Sequence, residues 1–160
     1  VAALTLFVAA CSAEGDQPPA TTGSPRVTES TLPAPEQPVW RKRTGIDTPR
    51  DDFASAVVDG EIWAFGGMTG ARGTRLRSSE IYDTRTDTWR YGPDVHEGLA
   101  SFEAAAVGDD IYVFGGLDEQ TRASDFSAVL DTTTRRWTAL PPLPHARYAH
   151  DVDVLDGKVY

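Results

Sequence analysis

A net charge of −9 over 160 residues, with 24 acidic side chains against 15 Lys and Arg, argues against nucleic acid, whose binding depends on clustered positive charge. The single cysteine, Cys11, stands near the start, so the sequence offers neither a disulfide framework nor a thiolate metal site. No residue pattern demands a cofactor or a metal.

In chain order, Val1 to Ala10 (VAALTLFVAA) is uncharged and apolar and runs straight into Cys11. As a helix it would reach only about 15 Å, half of a bilayer core about 30 Å thick. That suits the hydrophobic region of a secretory signal rather than a membrane span. Val8-Ala9-Ala10-Cys11 resembles the bacterial lipobox, in which small residues precede the cysteine that receives lipid and becomes the mature N-terminus. Residues 1–11 are therefore expected to be a signal remnant and lipobox. Residues 12–38 hold six prolines, many Ser and Thr and almost no large apolar side chain. Such a segment cannot bury enough surface to offset its ordering entropy and reads as a disordered tether. Anchor, tether and domain in that order describe an exported protein held to the cell envelope by lipid on Cys11.

From residue 39 one phrase recurs. Trp40, Trp89 and Trp137 stand at intervals of 49 and 48 residues, and FASAVVDGEIWAFGG (53–67), FEAAAVGDDIYVFGG (102–116) and HDVDVLDGKVY (150–160) align between them. A period near 50 residues with four short strand signals marks a propeller blade. In the first copy Ala54 to Val58, a hairpin turn at Asp59-Gly60 and Ile62 to Phe65 form two strands. The second copy repeats this with Ala104 to Val107, Gly108-Asp109 and Ile111 to Phe114, the third with Val152 to Leu155, Asp156-Gly157 and Val159-Tyr160. Their near-continuous apolar character predicts strands covered on both faces. Gly66-Gly67 and Gly115-Gly116 close the second strands, where positive φ or an approach too tight for a Cβ is expected. Polar loops follow, over 68–77 and 117–125. A third strand is predicted near Glu80-Ile81-Tyr82 and Ala128-Val129-Leu130, and a fourth at Trp89 and Trp137.

The double glycine, the tyrosine of the third strand and the tryptophan of the fourth resemble the kelch repeat. Gly66, Gly67, Tyr82 and Trp89 carry the full pattern; Gly115, Gly116 and Trp137 carry it in the second copy, where Leu130 replaces the tyrosine. Arg50 and Arg147 match the arginine that leads into the family's first strand, a place Leu99 takes in the second copy. The resemblance covers residues 39–160 and implies an all-β, kelch-type β-propeller. Two full repeats, part of a third and a possible closing strand fall short of a ring, which needs about 4–8 blades. The sequence thus reads as a fragment, with Trp40 belonging to a blade whose other strands lie outside it.

Chemistry is less legible. His145 and His150 supply two potential metal ligands where three or four must converge; His150 aligns with Phe53 and Phe102 and reads as a ring at a repeat position. Asp51-Asp52 and Asp109-Asp110 are strand or turn neighbours that point apart. Arg72, Arg75 and Arg77 give the first long loop a positive charge, and Arg50 and Arg147 stand near the expected channel mouth. These five arginines are the candidate ligand contacts, suited to a carboxylate. The leading expectation is a lipoprotein whose propeller binds a protein or a glycan. The alternative implied by the resemblance is a carbohydrate-active enzyme, either a sialic-acid-type epimerase or a galactose-oxidase-like protein with its site in further blades. Fold alone licenses neither activity.

Overall fold

A computed structural model describes residues 39–70 and 73–160. The signal segment with Cys11, the tether and Arg72 lie outside the described residues. Alternation of apolar residues and local turn chemistry build the first sheet. Strand β1 (Ala54–Val58) turns into β2 (Glu61–Phe65) through Asp59 and Gly60, both at positive φ (51° and 78°), as a type I′ hairpin requires. A small ribbon, β3 (Met68–Thr69) with β4 (Thr74–Arg75), precedes β5 (Ser79–Asp83) and β6 (Thr88–Tyr91). The four long strands form an antiparallel sheet in the order β1-β2-β5-β6. The second copy repeats it with β7 (Glu103–Val107), β8 (Asp110–Phe114), β9 (Ser127–Asp131) and β10 (Arg136–Ala139). The third contributes the hairpin β11 (Val154–Leu155) and β12 (Lys158–Val159). No helix occurs among the described residues. The architecture is that of a partial kelch-type β-propeller, with each four-stranded sheet one blade.

The core lies between the two sheets. Ala54, Ala56, Val58, Trp63, Phe65 and Ile81 share one face of the first blade. They meet Ile111, Val113, Ala128 and Leu130 of the second, and Val95, Leu99 and Phe102 of the connector close the end. Phe65, Ile81, Ile111 and Leu130 are fully buried; each such side chain contributes about 1.5–3 kcal/mol. Trp137 sits edge-on to Phe65 of the neighbouring blade, with ring centroids 5.7 Å apart, and its Nε1 donates to the Pro93 carbonyl at 3.5 Å. Trp89 packs on Tyr82 at 5.1 Å and donates to the carbonyl of Thr44 at 2.9 Å. Thr44 precedes Pro93 by one repeat, so residues 44–50 run along the first blade as 93–99 run along the second. Trp40 is fully exposed and lies in no strand.

The double glycines clasp one blade to the next. Gly67 N–H donates to the Leu99 carbonyl and Gly116 N–H to that of Arg147, both at 2.8 Å. A Cβ on Gly66 would lie 2.7 Å from the Leu99 oxygen and 2.8 Å from the Phe102 ring. One on Gly115 would meet the Arg147 oxygen and the His150 ring in the same way. Positive φ and close approach are therefore both required here. A second lacing runs along the lead-in to each first strand: Ser101 N–H donates to the Asp52 carbonyl and Ala149 N–H to that of Ser101, both at 2.8 Å.

Three expectations need correction. Strand β1 is not covered on both faces: Ala54, Ala56 and Val58 pack inward, while Ser55 and Val57 are exposed because no sheet lies against them among the described residues. The loop over 68–77 is not wholly irregular, since β3 and β4 pair within it. In the third copy the regular hairpin is confined to Val154–Leu155 and Lys158–Val159, extended by backbone hydrogen bonds between Asp153 and Tyr160.

Candidate functional site

The strand lead-ins and the loops after the double glycines converge on one end of the blades. Asp51 and Met68 exchange backbone hydrogen bonds of 3.0 and 2.8 Å, and Ala100 and Leu117 do the same at 3.1 and 2.7 Å. Between the two blades this loop end opens into a groove of about 300 Å³ lined by Arg77, His96, Glu97, Asp118, Glu119 and Arg122 among others. Such a volume is at the lower end of the range for ligand sites, about 300–1,000 Å³. Asp118 is held by its own loop: hydrogen bonds from the Arg122 backbone and guanidinium keep its carboxyl below the usual range. His96, Glu97 and Glu119 are exposed, so their side chains owe nothing to packing.

The five candidate arginines have different fates. The side chain of Arg50 is fully buried. Its Nε donates to Thr48 O, its Nη1 to Gly66 O and Ser78 O, and its Nη2 to Ser78 Oγ and Glu80 Oε1. All five guanidinium donors are thereby spent, and none faces an external ligand. Its partner Glu80, 2.6 Å away with a side chain 1% exposed, also accepts from the Asp47 and Thr48 N–H groups. Burial pushes the Glu80 carboxyl up, but the hydrogen bonds from Thr48 and Arg50 and the guanidinium charge outweigh it, and the net shift is downward. Arg147 is exposed, and its Nε donates to the His145 carbonyl two residues back, as that of Arg50 does to Thr48. Arg75 folds onto its own ribbon, donating to Gly73 O and to Met68 Sδ. Arg77 is exposed and donates through Nε to Val95 O at 3.1 Å. Arg77 and Arg147 are thus the two described candidates open to solvent.

Glu80 was not apparent from its own stretch of sequence, yet a signal existed. The second blade replaces both members of the pair at once, with Leu99 where Arg50 stands and Ala128 where Glu80 stands, and both are fully buried. An ion pair in one blade is an apolar pair in the next.

The remaining candidates are structural in placement. The His150 ring lies against Gly115 as Phe102 lies against Gly66, with both ring nitrogens buried and unpartnered. Burial and then Arg147 hold it below the ordinary histidine range, against an opposing pull from Asp151. Asp52 and Asp109 use their carbonyls, toward Ser101 and Thr132. Among the described residues no group of three His, Cys, Asp or Glu side chains is placed to hold a metal.

The family described as Kelch motif matches this chain twice, over residues 49–96 and 98–144. The chain is 34% identical over 110 residues to Kelch-like protein terF of Aspergillus terreus, covering 64% of this chain and 24% of that protein. It is 26% identical over 121 residues to Kelch-like protein 35 of Mus musculus, covering 76% and 21%. With N-(sulfonatooxy)prop-2-enimidothioate sulfolyase of Thlaspi arvense the identity is 29% over 131 residues, covering 76% and 37%. The chain therefore spans well under half the length of each of these relatives.

Proposed function

The chain belongs to the kelch-repeat family, and on that premise we propose that it is the protein-binding module of an exported, lipid-anchored protein, meeting its partner with the loop end of its blades. One observation carries the reading. The strands and double glycines are committed to packing, whereas the groove at the loop end is rimmed by His96, Glu97 and Glu119, whose exposed side chains have no structural task. Binding residues concentrate on loops that a rigid scaffold holds. Arg77 and Arg147 lie at the same end and supply the cationic contacts. The anchor rests on the Val8-Ala9-Ala10-Cys11 motif and the Pro-rich tether after it.

A photo-crosslinking residue at Glu97 or Glu119, set against one at Thr86 at the opposite end, tests the surface. Crosslinks to one discrete protein from the first two positions alone are expected. Equal yield from Thr86 refutes the loop-end assignment, and capture of glycan instead of protein shifts the ligand class. Cys11→Ser in the intact precursor should abolish acyl mass and membrane retention; an unchanged distribution refutes the anchor.

A further inference from the structure

Phe102 and His150 fill the same place in successive seams: a Cβ on Gly66 would lie 2.8 Å from the phenyl ring, and one on Gly115 the same distance from the imidazole. An apolar ring therefore meets the packing need, and the nitrogens of His150 add nothing to it. Both nitrogens are buried without a hydrogen-bond partner among the described residues. A neutral imidazole leaves one N–H unmet there; an imidazolium would leave two, and a charge besides. The surroundings offer that charge little. Phe114 of β8, Leu143 of the loop beyond β10 and Val159 of β12 line the place with apolar surface, and Tyr160 adds a phenol. Two charged groups act on the ring, both from its own lead-in: Arg147 repels an imidazolium and Asp151 attracts it. Glu103 of β7 lies beside Asp151. The same lead-in is what fastens the seam. Arg147 O accepts from Gly116 N–H, and Ala149 N–H donates to Ser101 O, both at 2.8 Å. One displacement of residues 147–150 would break both bonds and bring the ring to water.

We propose that His150 makes the seam between the second blade and the third copy an acid-sensitive fastening, closed on the neutral ring and loosened by its protonation, while the Phe102 seam stays shut. The opened lead-in takes its proton at the ordinary histidine value of about 6.5, the closed one only at lower pH. The opened population should therefore rise up to about tenfold per pH unit below that value, until the closed ring titrates as well. Glu103 works in the opposite sense. Burial and then Asp151 push its carboxyl up, so the closed seam takes that proton first and gains from it. Arg147 travels with the lead-in, so acid also withdraws the loop-end contact assigned to it; the opening itself does not depend on that reading.

Amide hydrogen exchange of the intact protein from pH 7 to 5, taken as protection relative to the intrinsic rate at each pH, compares the two seams directly. Protection of Gly116 and Ala149 should fall by about fivefold or more, while Gly67 and Ser101 keep theirs. His150→Phe, which copies Phe102, should hold both seams level across the range, and Glu103→Gln should leave the loss in place. In the unaltered protein the imidazole NMR signals of His150 give a second reading. The ring should titrate below about 6.5, and the loss of protection should level off where it does. Equal loss at both seams, no loss at either, or a loss that survives His150→Phe overturns the switch. So does a loss that Glu103→Gln abolishes, or a His150 ring that titrates at or above about 6.5.

Discussion

Replacing Arg50 by alanine in the intact protein should cost about 3 kcal/mol. The change removes every bond of a guanidinium that is fully buried and strands the Glu80 carboxylate, itself 1% exposed. Removing one partner of a buried ion pair typically costs about 3–5 kcal/mol. Glu80 keeps the N–H groups of Asp47 and Thr48, which puts the loss at the lower end of that range. The double substitution Arg50→Leu with Glu80→Ala copies the Leu99 and Ala128 pair of the second blade and leaves no orphan charge. The Ser78 carbonyl retains the Gly66 N–H, but the Gly66 carbonyl loses its guanidinium donor and the Asp47 and Thr48 N–H groups lose their Glu80 acceptor, each a penalty of up to about 1 kcal/mol. The double variant should therefore lose about 2 kcal/mol less than Arg50→Leu and Glu80→Ala summed, because each single change strands a buried charge and the double strands none; a double-mutant cycle of these three variants reads that coupling. Urea unfolding followed by tryptophan fluorescence measures it. Because the Glu80 carboxyl is held low, its contribution is complete above the unfolded value near 4.3 and fades as pH falls through the folded value. The coupling should shrink accordingly below about pH 4. An Arg50→Ala loss under about 1 kcal/mol, or losses of Arg50→Leu and Glu80→Ala that simply add in the double variant, refutes this account of the pair.

Gly66→Ala should destabilise far more than Gly108→Ala. Both glycines have positive φ, but a Cβ at Gly66 strikes Leu99 and Phe102 whereas one at Gly108 meets nothing within 4 Å. Gly108→Ala should then show only the left-handed cost of about 1–2 kcal/mol, and equal shifts in melting temperature would remove the steric clasp. Trp137→Ala should approach a loss of about 3–5 kcal/mol, because Trp137 packs across to Phe65 of the neighbouring blade. A loss under about 1 kcal/mol in denaturant unfolding would contradict that seam. His150 is held below its ordinary range, so the unfolded chain takes its proton first and stability should fall as pH drops below about 6.5. His150→Phe, which copies Phe102, should remove that dependence between pH 7 and 5; a variant with the same slope would assign it elsewhere.

What could be read from the sequence was what is encoded locally. The turn at Asp59-Gly60, the strands on either side and the glycine pair at 66–67 each follow from a few adjacent residues; the repeat presents the turn and strands in three copies and the glycine pair in two. The ion pair was legible on one side only: Arg50 stood out, but its partner lies thirty residues on and is brought to it by the pairing of β2 with β5. The same blindness made Arg50 a candidate ligand contact, since a sequence does not show whether a guanidinium points into a blade or out of it. The ribbon of β3 and β4 escaped notice because two-residue strands leave no periodic signal. The loop-end groove draws residues from two repeats, so the acidic rim at Glu97 and Glu119 forms no motif along the chain.

Residue-resolved amide hydrogen exchange on the intact protein tests the division of labour most directly, because it separates backbone that fastens blades from backbone left free to bind. The N–H groups of Gly67, Ser101, Gly116 and Ala149, which bridge successive repeats, should exchange as slowly as those of β2 and β8. The loop-end amides of Glu97 and Glu119 should exchange orders of magnitude faster and slow only when the crosslinked partner is bound. Rapid exchange at the four bridging amides, or protection at Glu97 and Glu119 without a partner, would contradict the assignment of the glycine clasp to structure and the loop end to binding.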